Sequence, residues 1–130
     1  NYCVENKVLN VIFFGRYQKA DELKYLKSVS LMNIFLEEDL NSRTLLSNRF
    51  YLALNNFIPI LVNNNSFQGE LVEKYKLGVV IKNPKQLDIE VSDYIKNFNE
   101  DEFKNGCREF FKDIQKDEAA FREMLMNYLN

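Results

Sequence analysis

The chain of 130 residues contains no histidine, so acid–base or metal chemistry that depends on histidine is excluded within it. Its two cysteines, Cys3 and Cys107, lack the spacing of a metal site and are too few for a disulfide scaffold. This cysteine usage fits a cytosolic location. No apolar run approaches the roughly 20 residues that a transmembrane helix needs.

The sequence also lacks a basic excess and the common phosphate-binding fingerprints. A net charge of −2 argues against a dedicated nucleic-acid binder. Neither a GxGxxG nor a P-loop sequence occurs, which argues against a dehydrogenase or a kinase. The pair Glu37 and Glu38 is better explained as a solvated loop than as catalytic carboxylates.

What the sequence does contain is an alternation of short apolar runs with amphipathic segments. Runs rich in β-branched and aromatic residues predict strands buried on both faces, at 7–14, 31–36, 60–62 and 79–81. Segments with helical spacing lie between them, at 19–27, 44–57 and 67–75. The order βαβαβαβ predicts one α/β domain over 1–130, a Rossmann-like parallel sheet of about four strands flanked by helices, with a helical C-terminal part at 84–130.

Local signals mark the ends of the predicted helices. Ser66 is predicted to cap the helix at 67–75, and Gly78 to stop it. Asn83, followed by proline, is predicted to begin the next helix, and Asn99 the one after it.

The C-terminal helices carry apolar residues at helical spacing, which predicts inward-facing stripes. The first stripe comprises Leu87, Val91, Tyr94, Ile95 and Phe98; the second comprises Phe103, Cys107, Phe110, Phe111 and Ile114; the third, on a separate last helix, comprises Phe121, Met124, Leu125, Tyr128 and Leu129.

One stretch resembles a known enzyme family. Residues 47–70, SNRFYLALNNFIPILVNNNSFQGE, read as a helix, a proline-marked turn into an apolar strand, a polar loop and the start of a helix. With ELVEKYKLGVV at 70–80 and NVIFFG at 10–15, this stretch is similar to the C-terminal domain of GT-B glycosyltransferases. The similarity is to the group 1, family 4-like enzymes that build bacterial capsules and other surface polysaccharides, and it covers about residues 8–90.

This resemblance implies a function. In the family, the C-terminal Rossmann-like domain binds a nucleotide-sugar donor, a separate N-terminal domain binds the glycan acceptor, and transfer usually needs no metal bound by an Asp-x-Asp motif. The chain is then expected to be the donor-binding half of a glycosyltransferase, with no cofactor and no activity alone. The resemblance also implies a cytoplasmic location and is compatible with peripheral association of the full-length enzyme with the inner face of the membrane.

The resemblance also implies a set of donor-binding residues. Arg49, at a helix start, is expected to pair with the donor diphosphate, and Arg16 is a further candidate for the same group. The loop and helix start at 66–69 are expected to offer backbone N–H groups to phosphate or sugar oxygens. The full candidate set is Arg16, Asn48, Arg49, Ser66, Phe67, Gln68 and Gly69. No catalytic residue follows from the sequence.

The chain departs from the family pattern at the ribose-binding positions. Many members have two glutamates separated by seven positions, and an alignment on Pro59 places Thr44 and Leu52 there. Phe57 occupies a position that is usually glycine. The alternative hypothesis is therefore a non-catalytic α/β interaction or assembly module derived from a transferase domain, in which Asn48 and Arg49 are a helix cap and a surface charge.

The beginning of the chain predicts a fragment, because a strand follows Asn1 almost at once and no initiator methionine is present. A complete domain of this kind has two further strands before the one at 7–14, so this incomplete GT-B domain would expose an apolar edge. We expect the edge to be covered either by direct pairing of the first two predicted strands or by a second chain.

Overall fold

A three-stranded parallel sheet forms the centre of the fold in the computed structural model, which describes residues 10–12, 15–16, 18–36 and 39–129. Strand β1 spans Met32–Asn33, β2 spans Ile60–Asn63 and β3 spans Gly78–Ile81. They lie in the order β1–β2–β3, with Met32 opposite Ile60 and Ile60 opposite Gly78. The described part of the chain is thus an α/β fold with a small open sheet, as the alternation of elements predicts.

Helices flank this sheet and form the C-terminal part. In chain order they are α1 (Glu22–Leu26, after a 3-10 turn at Lys19–Asp21), α2 (Leu40–Thr44), α3 (Asn48–Asn55), α4 (Phe67–Tyr75), α5 (Leu87–Lys96, after a 3-10 turn at Pro84–Gln86) and α6 (Glu100–Leu129). None of the helices in the described residues combines the length and the apolar character that crossing a bilayer requires.

The central strand β2 is buried along its whole length because both faces of the sheet are covered. On one face Ile60 and Val62 pack with buried side chains of α3, α4 and α6, including Phe50, Val72 and Phe110. On the other face Leu61, Val79 and Ile81 form a smaller cluster that Val91 and Tyr94 of α5 cover in part.

The strand predicted at 7–14 is not formed where the structure describes it. Residues 10–12 are a turn followed by irregular backbone, and the side chain of Ile12 is 75% exposed. The prediction of a strand buried on both faces is therefore wrong for these three residues, because no strand of the described sheet pairs with them or covers them. Residues 7–9 and 13–14 lie outside the described residues, as do Cys3, Glu37 and Glu38.

The helix predicted over 44–57 is interrupted. A separate helix, α2, ends at Thr44, where the sequence predicts the longer helix to begin. Helix α3 begins only at Asn48. Ser47 between them has an extended backbone (φ −78°, ψ 152°), and both its N–H and its hydroxyl donate to Oε1 of Gln68. This pair of hydrogen bonds to a residue 21 positions away fixes the break.

Three of the predicted helix caps are present. The N–H of Gly69 donates to Oγ of Ser66 at 2.9 Å, at the start of α4. The side chain of Asn83 accepts from the N–H of Lys85 at 3.1 Å, and that of Asn99 accepts from the N–H of Glu102 at 3.0 Å. These predictions are confirmed because a cap depends on residues only two or three positions apart.

Gly78 has a different role from the predicted helix stop. Helix α4 ends at Tyr75 and is followed by Lys76, which adopts the left-handed conformation (φ 59°). The N–H of Leu77 donates to the carbonyl of Val72 at 3.0 Å. Gly78 instead begins β3, where an added Cβ would lie 1.9 Å from the carbonyl oxygen of Ile60. Glycine is therefore required for the close approach of β3 to β2.

The C-terminal helices differ from the prediction in two respects. The residues 100–129 form one continuous helix, since no proline interrupts them and Gly106 allows α6 to touch the backbone of Tyr75. The second predicted stripe is buried or half-buried, but the third is exposed. Of the first stripe, Val91 and Tyr94 pack against the sheet, because only a narrow face of α5 contacts it. Leu87 and Ile95 on α5 are exposed, and so is Phe98, which follows the end of the helix.

A polar contact joins α4 to α6 beside this core. The hydroxyl of Tyr75 donates to Oδ2 of Asp113 at 2.9 Å, and Nζ of Lys116 lies 3.0 Å from Oδ1 of the same carboxylate. The pKa of Asp113 lies below its ordinary value of 3.8, first because Lys116 donates to it and second because Tyr75 does.

We expect the substitution Asp113→Asn to lower the free energy of unfolding at neutral pH. At acidic pH we expect the variant and the unsubstituted chain to be equally stable. The folded pKa of Asp113 is lower than the unfolded value of about 3.9. The stabilisation is therefore fully present above the unfolded value and disappears as the pH falls through the folded one. Urea unfolding at neutral and acidic pH measures this. Asp117→Asn, one turn further along α6, is the control, and an equal effect of both substitutions at every pH would contradict the assignment.

We expect Gly78→Ala to destabilise the fold by more than about 3 kcal/mol, because a Cβ overlapping the Ile60 carbonyl forces β3 away from β2. Gly15→Ala is the matched control. Gly15 also has a positive φ (70°), but none of the described residues lies within 4 Å of its added Cβ, so we expect this substitution to cost only about 1–2 kcal/mol. Urea midpoints compare the two variants, and equal losses would show that the contact with Ile60 is unimportant.

Candidate functional site

The starts of α3 and α4 meet beside the carboxyl edge of the sheet. Oε1 of Gln68, in the first turn of α4, accepts hydrogen bonds from the N–H of Ser47 at 3.2 Å and from its hydroxyl at 3.0 Å. Ser47 immediately precedes α3. Two helix N-termini, each with a partial positive charge, are therefore held side by side at the edge where open parallel sheets bind ligands.

The amide of Gln68 is left with one unsatisfied group. The N–H of Ser47 can only donate, so it fixes Oε1 as the atom that faces Ser47. Nε2 then has no hydrogen-bond partner in the described part of the chain, although Gln68 is 0% exposed. A buried donor without an acceptor costs about 1–3 kcal/mol. Nε2 is itself closed to solvent, so an acceptor reaches it only if the neighbouring groups shift.

The loop at 66–69 is mostly shaped by internal contacts. The hydroxyl of Ser66 donates to the carbonyl of Asn63 at 2.9 Å while it accepts from the N–H of Gly69. Ser66, Gln68 and Gly69 are all buried, and an added Cβ on Gly69 would lie 2.9 Å from the Asn63 carbonyl. Phe67 is the member of this group whose side chain is exposed to solvent. Ser66, Gln68 and Gly69 thus position the backbone and do not present side chains to a ligand.

Arg49 is the exposed cation at this place. It lies in the first turn of α3, whose N–H groups receive no cap from the side chain of Ser47. Its guanidinium has no hydrogen bond or ion pair with the described residues, and the neighbouring Asn48 is also exposed. An unpaired arginine beside an uncapped helix start favours an anion.

A cavity of about 410 Å³ adjoins Arg49, between α1 and α3. Its other lining residues are Gly15, Glu22, Tyr25, Leu26, Ser28, Val29, Met32 and Leu52. Arg16 follows Gly15 and is exposed, but it does not line this cavity. Arg49, together with the starts of α3 and α4, therefore forms the candidate site, and Arg16 stands at its margin.

The two positions that carry glutamate in many GT-B enzymes lie on different helices here. Leu52 on α3 lines the cavity next to Arg49. Thr44 ends α2, where its hydroxyl lies within hydrogen-bond distance of the carbonyls of Leu40 and Asn41. The break at 45–47 separates these two positions. Although they have seven residues between them, as in the family, they do not lie on one helix face.

A second, smaller cleft of about 330 Å³ lies where the strands end. Asn63 stabilises it, because its Oδ1 accepts from the N–H of Leu36 at 3.4 Å and its Nδ2 donates to the carbonyl of Asn64. Asn65 adopts the left-handed conformation (φ 56°), which asparagine tolerates better than most residues. Lys82 adds an exposed cation after β3. Sequence reasoning missed Lys82, because a single lysine after a short strand carries no signal.

The described residues support neither a cysteine nucleophile nor a metal site. The thiol of Cys107 is buried, and desolvation raises its pKa to about 11, so it is not a nucleophile at neutral pH. Among the described residues, no group of three or more aspartate, glutamate or cysteine side chains is placed to hold a metal ion.

A scan of the chain against protein-family models finds no match, and searches among curated proteins and solved structures find none either.

We expect Ser66→Ala to destabilise the fold by about 1–2 kcal/mol, because it removes the cap of α4 and the hydrogen bond to Asn63. Urea unfolding measures the change. The matched control is Ser92→Ala on the exposed side of α5, which we expect to change stability by less than about 0.5 kcal/mol. Equal stability of the Ser66→Ala variant and the unsubstituted chain would contradict this role.

Proposed function

We propose that the chain is the donor-binding half of a glycosyltransferase and that it holds a nucleotide-sugar by its diphosphate at the starts of α3 and α4. The observation that carries the proposal is the contact between Ser47 and Gln68, which brings the two helix starts together across 21 positions of sequence. A polyanion is the ligand class that two adjacent helix N-termini favour.

The charges at the site support an anionic ligand. Arg49 is exposed and unpaired among the described residues, although the chain as a whole has a net charge of −2. A guanidinium presents parallel N–H donors that match two oxygens of a phosphate group. Contact with Arg49 and with the free N–H groups at the start of α3 would stabilise the diphosphate both in the donor and as the leaving group.

The cavity between α1 and α3 supports a place for the nucleoside. Its volume of about 410 Å³ lies within the range of small-molecule sites, and Tyr25, Met32 and Leu52 make it largely apolar. Leu52 offers no carboxylate to the ribose hydroxyls. Glu22 lines the same cavity from α1 and is the residue that we propose to accept a ribose hydrogen bond instead.

The reaction that follows from this proposal is the transfer of the sugar to a hydroxyl of a glycan. The hydroxyl oxygen attacks the anomeric carbon, and the nucleoside diphosphate leaves with the electron pair of the broken bond. The acceptor and any base come from a separate N-terminal domain, so the chain alone binds the donor and does not transfer the sugar. The sheet and its helices then correspond to an incomplete GT-B C-terminal domain of Rossmann-like type.

The proposal is tested by titrating the 130-residue chain with UDP-, GDP- and CMP-sugars while recording its amide NMR spectrum. We expect a UDP- or GDP-sugar, which carries a diphosphate, to shift the amides of Asn48, Arg49 and Phe67 in particular, and a CMP-sugar, which has a single phosphate, to shift them less. Arg49→Ala should weaken this binding about tenfold or more, because a hydrogen bond to a charged group contributes about 1.5–3 kcal/mol. The control Arg108→Ala removes an exposed arginine of α6 outside the site and should leave the affinity unchanged.

Two results would refute donor binding by this chain. One is the absence of shifts with every nucleotide-sugar while the spectrum remains that of a folded protein. The other is binding that Arg49→Ala and Arg108→Ala weaken to the same extent, which would indicate only non-specific attraction of an anion.

A second candidate function, a non-catalytic interaction module, is favoured by the apolar side chains of α6 that remain exposed, such as Phe121 and Tyr128. It is also consistent with a loop at 66–69 whose side chains are largely occupied by internal contacts. The nucleotide-sugar panel separates the two functions, because a module of this kind is silent in it.

A further inference from the structure

The last turns of α6 carry an apolar stripe that no other described part of the chain covers. The stripe consists of Phe121, Met124, Leu125 and Tyr128, at the i, i+3, i+4 and i+7 spacing of a single helix face. The side chain of Phe121 is 57% exposed and that of Tyr128 is 86% exposed. All residues from 115 to 129 are exposed, so this half of α6 projects beyond the sheet. An isolated helix of this length is marginal in water and is stabilised when its apolar face is covered.

An apolar groove of about 740 Å³ lies on the same chain, between α5, the start of α6 and the turn before β2. Its walls include Leu31, Phe57, Pro59, Ile95, Phe98 and Phe103. Phe57, Ile95 and Phe98 are 40–63% exposed, so the groove is open to solvent. The hydroxyl of Tyr94 in its wall has no hydrogen-bond partner among the described residues. A concave apolar groove is the surface that a helix with i, i+3, i+4 and i+7 anchors fits.

We propose that these two surfaces bind each other between two copies of the chain. In the resulting two-fold dimer, the stripe of each α6 lies in the groove of the partner. The occupant of the groove is thus a second copy of this chain, and the contact does not depend on nucleotide binding.

The geometry of α6 allows such a dimer to close. Phe121 follows Phe103 by 18 residues, which is five full helical turns, so the stripe points to the same side as the buried face of α6. The groove lies at the first turn of α6 and the stripe at its last turns. A two-fold axis through the middle of α6, near Lys112, makes the two α6 helices antiparallel and places each stripe over the partner's domain. Both contacts are then equivalent, as a closed dimer requires.

The buried area favours this arrangement over pairing of the two stripes. Aromatic side chains bury roughly 150–250 Å² each, so one stripe has roughly 400 Å² to bury, and the groove about the same. Two stripe–groove contacts then bury roughly 1,600 Å², the size of a stable interface. Direct pairing of the stripes buries only about half of this. It also places Asp117, which continues the heptad spacing between Ile114 and Phe121, in the apolar seam.

The test is the mass of the full chain in solution, measured by light scattering and by sedimentation over a range of concentrations. We expect a dimer. Phe121→Lys on the stripe and Ile95→Lys in the groove should each raise its dissociation constant at least tenfold. The matched controls are Met126→Lys, on the other side of α6, and Ile89→Lys, an exposed residue of α5 outside the groove. Both controls should remain dimeric.

A mixture of the Phe121→Lys and Ile95→Lys variants provides a second test. A pair formed by one Phe121→Lys chain and one Ile95→Lys chain keeps one intact stripe and one intact groove, so the mixture should dimerise better than either variant alone. Circular dichroism checks that all variants are folded, which is expected because the substituted side chains are exposed. A chain that is monomeric at every concentration would overturn the proposal. So would a dimer that Phe121→Lys breaks and Ile95→Lys leaves intact, because the stripes would then pair with each other.

Discussion

The hydrogen bonds from Ser47 to the side chain of Gln68 set the position at which α3 begins. They hold Ser47 in an extended conformation, which ends the run of α2 and lets α3 start at Asn48. They also fix Arg49 in the first turn of α3, next to the start of α4. The segment 44–57 has the apolar spacing of one continuous helix. If it formed one, Arg49 would lie inside that helix, where the backbone N–H groups are hydrogen-bonded and none is free to bind an anion beside the guanidinium. The candidate anion site therefore depends on a single buried amide.

The features that follow from neighbouring residues could be predicted from the sequence, and those that follow from distant contacts could not. The caps at Ser66, Asn83 and Asn99 and the strands β2 and β3 are of the first kind. The break before α3 is of the second kind, because its cause lies 21 positions away. Gly78 is also of the second kind. A glycine after a predicted helix fits a helix stop equally well, and the sequence does not show that Gly78 lies against the backbone of Ile60.

The predicted site residues divide along the same line. Their order in the sequence indicates a polar loop followed by a helix start. It does not indicate which of their side chains form hydrogen bonds within the protein. Ser66 and Gln68 are committed to internal hydrogen bonds, whereas Arg49 is not bonded to the described residues. Helical spacing likewise predicts which residues share a face, but not whether another element reaches that face. For this reason Phe103 and Phe121, five turns apart on one helix, are buried and exposed respectively.

Helix α3 connects the two surfaces of the molecule to which functions are assigned. It begins beside Arg49 at the proposed donor site, and the turn after it ends at Phe57, in the wall of the groove. Phe57 has a positive φ of 51°, which costs a bulky residue about 1–2 kcal/mol and turns the chain so that Pro59 can lead directly into β2. The inner face of α3, with Phe50, Ala53 and Leu54, is fully buried against the core. Coupling between distant sites needs an element that has two arrangements, and this close packing disfavours a second arrangement of α3. We therefore expect occupation of the groove to leave the proposed donor site unchanged.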